Sequence, residues 1–145
     1  MLFRSAGMVL RLLTGYRPEL IGSALGLRPV PEDRIVLAGA RDLDPPEVTY
    51  LAGAAIRRRE VAALTPADLP AGPLYAHVDL DVIDAAGLPG LRYPVPGGPD
   101  AARLADALRT LLATGQVAAL GLSCSWRPGH AAARHVAAEL AAALD

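Results

Sequence analysis

The segment Leu74–Gly90 reads LYAHVDLDVIDAAGLPG, an apolar stretch that carries His77, Asp79, Asp81 and Asp84. Read as one strand, alternation places His77, Asp79 and Asp81 on one face and Val78, Leu80 and Val82 on the other. Two carboxylates one strand repeat apart repel each other and are costly to desolvate. A divalent cation removes both penalties, so this spacing points to metal binding or to catalysis. The alternative is that Asp79 or Asp81 caps a loop and is satisfied by backbone N–H groups. Carboxylate oxygens suit Mg or Mn, and an added imidazole would suit Mn or Zn. Asp84 precedes Ala-Ala-Gly and is explained by an Asx-type turn.

Two chemistries use an Asp-x-Asp at a strand end. One is a Mg-dependent phosphotransferase of the haloacid-dehalogenase type, in which the first Asp attacks phosphorus and the second serves as acid and base. Such enzymes carry the motif on their first strand and hold phosphate with a later Lys or Arg. Here it lies mid-chain, and all 14 basic residues are Arg. The other is a two-metal hydrolase, in which carboxylates hold the ions that activate a water.

The elements that must position these acids alternate between helix and strand. Gly7–Gly15 and Pro18–Gly26 read as helices, Arg34–Ala40 as a strand, and Asp44–Arg59 as a helix with Asp44 and Glu47 forming a capping box. Leu74–Ile83 and Val117–Ser125 read as further strands. Pro99–Gly115, with Leu104, Leu108, Leu111 and Leu112 on one side, and Gly129–Asp145 read as helices. Arg57–Glu60 is expected at a helix end, solvated and complementing the macrodipole. Strands separated by helices imply an α/β fold with a parallel sheet covered on both faces. At 145 residues, one domain is expected.

A formal net charge of −1 gives no electrostatic basis for nucleic-acid or anionic-membrane binding. No apolar run approaches the ~20 residues that span a bilayer. MLFRSAGMVLRLLTG lacks a cleavage site, so a cytoplasmic protein is expected. The single Cys124 permits no internal disulfide. It reads as a small core residue, although a nucleophile paired with His130 is the alternative. His130 and His135 lie five apart and read as surface residues, and Trp126 as a strand-end residue that lines a pocket or covers the sheet. PGGPD lacks the Lys and the flanking pattern of a phosphate loop.

Three blocks taken in order, AGMVLRLLTG, LAGARDLDPPE and DLDVIDAAGLPGLRYPVPGG, resemble those of the arginase–agmatinase–formiminoglutamase family. The resemblance spans nearly the whole chain but only the C-terminal half of that family's domain, as in an N-terminally truncated, partial arginase-like domain over 1–145. It implies a three-layer α/β/α fold and a binuclear Mn site, where a metal-bridging hydroxide attacks a guanidinium or amidine carbon. Asp79 and Asp81 match metal ligands, and Asp44, with Glu47 nearby, matches a substrate contact. The family's other ligands, a His and an Asp-x-His-x-Asp set, lie upstream of these blocks. Ala6 stands where many relatives carry a catalytic His. GLSCSWRP (Gly121–Pro128) lacks the acid that holds guanidinium, His77 replaces a small residue, and Arg92-Tyr93 replaces a Thr-containing stretch.

The resemblance therefore implies either an atypical ureohydrolase-type enzyme with an incomplete site, or a non-catalytic fragment, pseudoenzyme or partner subunit. Small oligomers are usual in the family, and a homo-oligomer is expected here.

Overall fold

The computed structural model describes residues 6–128 and 132–142. Helix α1 (Ala6–Leu13) and the short α2 (Gly22–Leu25) precede strand β1 (Val36–Ala38). Helix α3 (Pro45–Gly53) leads to β2 (Arg57–Arg59), then β3 (Leu74–Asp79), α4 (Ala101–Ala113), β4 (Val117–Ser123) and α5 (Ala132–Ala141). Four 3-10 turns punctuate the connections among the described residues.

Both sheets of the described residues are parallel and two-stranded. β1 pairs with β2, Leu37 opposite Arg58, and β3 pairs with β4, Val78 opposite Leu122 and Asp79 opposite Ser123. Helices alternate with these strands, as the α/β expectation requires. The single continuous sheet is replaced by two, and the segment after β1 meets the turn after β3 through the Arg41 guanidinium and the close approach of Gly39 to Val82.

Three local expectations are corrected. Helix α3 stops at Gly53, and Arg57–Arg59 is a strand rather than a solvated helix end. Residues 18–26 form only one helical turn, closed by Gly26 with φ 62°. Third, β3 is not buried on both faces. Val78 faces the core, whereas Tyr75 is 67% exposed and His77 is also exposed on the opposite face.

Helix α4 forms as its pattern requires. Asp100 accepts a hydrogen bond from the Arg103 N–H at 2.8 Å, and Leu104 and Leu108 are buried. These leucines join Val78, Leu80, Ile83, Leu88, Leu91, Val136 and Leu140 in one core cluster lying beneath the acid segment. Leu88 and Leu91, both buried, anchor the Gly- and Pro-rich loop that follows the acid segment. A backbone bridge between Leu91 and Trp126 ties it to the exit of β4. No helix of the described residues is long and apolar enough to cross a membrane.

Beside its ladder with β1, the Arg57–Arg59 strand is tied to Asp68, the one buried acid among the described residues. Asp68 accepts from Arg59 Nε at 2.6 Å and from the Thr65 N–H and hydroxyl at 3.0 and 2.9 Å. The Thr65 donors first, and then Arg59, hold its carboxyl below the ordinary 3.8, against a smaller opposing effect of burial. A folded value below the unfolded one means that the carboxylate stabilises the fold above about pH 4, and that this is lost as pH falls through the folded value. Asp68→Asn is expected to lower the thermal midpoint at pH 7. The gap from the parent should narrow as pH drops below about 4, as followed by circular dichroism melts.

Candidate metal-binding acid turn

Strand β3 ends at Asp79, and the next three residues, Leu80–Val82, wind into a 3-10 turn. Leu80 and Ile83, 5% and 0% exposed, are drawn into the core, and this leaves Asp79 and Asp81 half-buried on the turn. Asp81 therefore does not continue the strand face of His77 and Asp79. Its acid is brought to Asp79 by the turn, with the Asp81 N–H donating to Asp79 Oδ1 at 3.3 Å.

The two carboxyls disfavour one another's charge. Burial, then the charge of Asp79 and a hydrogen bond to it, holds the Asp81 carboxyl above the ordinary 3.8, and Arg41 opposes the shift. Two half-buried carboxylates this close stabilise one another poorly, and a cation between them would reverse that. Cys124 senses the same field. Burial, followed by the charges of Asp79 and Asp81, pushes its thiol up to about 11, so it is a poor nucleophile and packs against the core as a small apolar residue.

His77 stands beside the acids with both ring nitrogens engaged. Nδ1 lies 3.3 Å from the Tyr75 hydroxyl and Nε2 3.1 Å from the hydroxyl of Ser123, the residue opposite Asp79. Asp84 makes the expected turn, accepting from the Ala86 N–H at 2.8 Å. It also accepts from the Gly97 N–H at 2.6 Å, which joins the turn to the Pro-Gly-Gly loop. Those backbone donors hold the Asp84 carboxyl below its ordinary value.

Asp44 and Glu47 sit at the start of α3 and serve the expected capping box, with the Asp44 N–H donating to Glu47 Oε2 at 2.8 Å. What ties their segment to the acids is Arg41, which sequence reasoning passed over. Arg41 Nη1 donates to the Val82 carbonyl at 2.8 Å and Nη2 to the Asp81 and Val95 carbonyls at 3.4 and 3.3 Å. The only early sign of it was its place in the GARDLDPPE block. His135 forms an exposed pair with Glu139 at 3.1 Å, in keeping with a surface role, and His130 lies outside the described residues. Trp126 is 44% exposed at the end of β4.

The described residues contain no group of three or more His, Cys, Asp or Glu side chains placed to hold a metal ion. Asp79 and Asp81 are hard oxygen donors of the type such a cation takes, yet two carboxylates do not make the ligand set of a metal pair. The fit to a binuclear centre is therefore partial.

No curated protein matches this chain. Among solved structures, arginase from Bacillus caldovelox superposes with a TM-score of 0.82 at 22% identity, covering 94% of this chain and 51% of that one. Entamoeba histolytica arginase in complex with L-ornithine gives 0.80 at 16% identity, with 94% and 51% covered. Formimidoylglutamase from Bacillus subtilis gives 0.66 at 16% identity, with 87% and 44% covered. At these identities the likeness is one of fold, and the chain spans about half the length of the solved chains it matches. The sequence match is broader in kind, since the profile of the arginase family aligns with residues 4–144, and it leaves the phosphotransferase alternative without support. The chain belongs to the arginase family.

Proposed function

We propose that this chain carries the carboxylate half of an arginase-like hydrolase site that cleaves a C–N bond of a small linear amidine or guanidinium compound. The observation behind this is the acid turn, where Asp79 and Asp81 are brought together half-buried and the Asp81 carboxyl is held up by its neighbour. Both would supply oxygen ligands to a pair of Mn ions. When bound, such a pair lowers the pKa of a shared water, so that hydroxide is available at neutral pH. The remaining ligands must come from outside the described residues, and no step of the reaction is assigned to this chain alone.

The chain's own residues prepare the site. Leu80 and Ile83 seat the turn on the core, Asp79 takes the Asp81 N–H, and Asp84 anchors the following loop. In the same proposal residues 1–145 act as one partial arginase-like domain in a cytoplasmic homo-oligomer. Asp44 and Glu47 would form the substrate-contact pair at the mouth of α3. Both carboxylates already serve the capping box, so a substrate would take the oxygens that box leaves over.

A second reading is favoured by the lack of a third ligand among the described residues: a non-catalytic partner that keeps the fold for packing. Calorimetric titration with Mn separates the two. The hydrolase reading expects Mn binding at the acid turn that is lost in Asp79→Ala, with the circular dichroism spectrum unchanged. No binding by the parent chain leaves the non-catalytic role.

A further inference from the structure

The four acceptors recorded for Arg41 are main-chain carbonyls from three separate segments. Besides Val82, Asp81 and Val95, Nη1 reaches the Gly39 carbonyl at 3.5 Å at the exit of β1. Its Nε is buried without a partner, a costly arrangement that the other contacts must outweigh. The surroundings are shaped to admit it. A side chain at Gly98 would meet Arg41 Nη2 at 2.7 Å, and one at Gly39 would meet Val82 Cγ2 at 2.7 Å. Gly98 leaves room for the planar guanidinium, and Gly39 lets the end of β1 approach Val82 of the acid turn.

The choice of acceptors has a chemical consequence. An arginine paired with the carboxylates would neutralise them and compete with any cation. Donating to the Asp81 and Val82 carbonyls instead, Arg41 holds the turn from behind, and its charge reaches the Asp81 carboxyl through space without a hydrogen bond to either carboxylate. A lysine could not reproduce this, because an ammonium is a point charge without the rigid fork that reaches several carbonyls at once.

We propose that Arg41 is the positioning residue of the acid turn, fixing Asp79 and Asp81 for a cation through main-chain carbonyls without pairing with either carboxylate. Its purpose rests on the metal-site reading above; its mechanism rests on the hydrogen bonds alone.

Amide hydrogen exchange by NMR tests the mechanism in Arg41→Lys and Arg41→Gln. The reporters are the N–H groups of Ile83 and Asp84, which donate to the Leu80 and Pro99 carbonyls. The control is the Leu74 N–H, which donates to the Gln116 carbonyl at the far end of β3. Local loss of the clamp is expected to speed exchange at the reporters about tenfold or more while Leu74 is unchanged. Paramagnetic broadening by added Mn is the second readout. It should fall first on Asp79 and Asp81 in the parent and become weaker and less selective in both variants.

Parent-like exchange at Ile83 and Asp84 in Arg41→Lys would overturn the proposal, as would equal acceleration of every amide in both variants. Undiminished selective broadening in a variant whose turn has loosened would overturn it as well. If Arg41→Gln alone unfolds, Arg41→Lys decides. Absence of selective broadening in the parent counts against the metal reading, and the exchange result still decides for or against the clamp.

Discussion

Gly98→Ala is expected to lower stability by about 3 kcal/mol, the upper range for forcing an added group into a packed site. The added methyl would collide with the Val82 carbonyl and stand 2.7 Å from both Arg41 Nη2 and the Asp84 N–H. None of these can withdraw cheaply. The Val82 carbonyl accepts from Arg41 at 2.8 Å, and the Asp84 N–H donates to the Pro99 carbonyl at 2.9 Å. The strain therefore falls on the connection between the acid turn and its loop.

Gly121→Ala is the matched control. Its methyl would also collide, but with the hydroxyl end of Tyr75, a side chain 67% exposed that can swing away at the loss of one exposed hydrogen bond to His77. That change should cost within about 0.5 kcal/mol. Urea unfolding of both variants measures the difference through the midpoint at unchanged slope. A Gly98→Ala midpoint matching that of Gly121→Ala would mean the loop can slide off the turn, and the clamp would not be rigid.

The contrast also shows what could be read from the chain before its fold was known. Asp79 and Asp81 stood out because burying two like charges needs a reason, and that argument holds in any backbone geometry. The Asp44–Glu47 cap and the α4 leucines were legible because capping and helical periodicity act within a few residues. The family blocks were legible for a different reason, as a resemblance of residue order.

The end of β3 was not legible. Apolar and acidic residues alternate through VDLDV whether the chain is extended or turning, so a period of two could not reveal where the strand stops. The Arg57–Arg59 strand was hidden because nothing in three arginines favours a strand. Their partners are β1 and the buried Asp68, which lies nine residues beyond Arg59. The Thr65-Pro-Ala-Asp68 capping box places that carboxylate. Arg41 was illegible for the same reason on a larger scale. Its acceptors at Asp81 and Val82 are 40 and 41 residues away, and no local pattern marks which of 14 arginines makes them.

Ile83→Ala is expected to be the most destabilising single truncation near the site, by about 4 kcal/mol. Ile83 is fully buried, follows the 3-10 turn directly, and belongs to the cluster shared by β3, α4 and α5. Removing its branched end opens a cavity whose walls include Leu and Val side chains anchored on separate elements, so collapse would have to move several of them together. Ile83→Val removes one methylene and should cost only about 1 kcal/mol. The pair of variants reads whether the core beneath the acids can yield: midpoints for Ala and Val that nearly coincide would mean that it relaxes around the gap. A large separation means the acid turn rests on a core that does not adjust. The carboxylates are then held from two sides, by Ile83 packing below and by carbonyl bonds to Arg41 behind. Loss of either support should loosen the turn, but only loss of Ile83 should lower global stability by the full cavity cost.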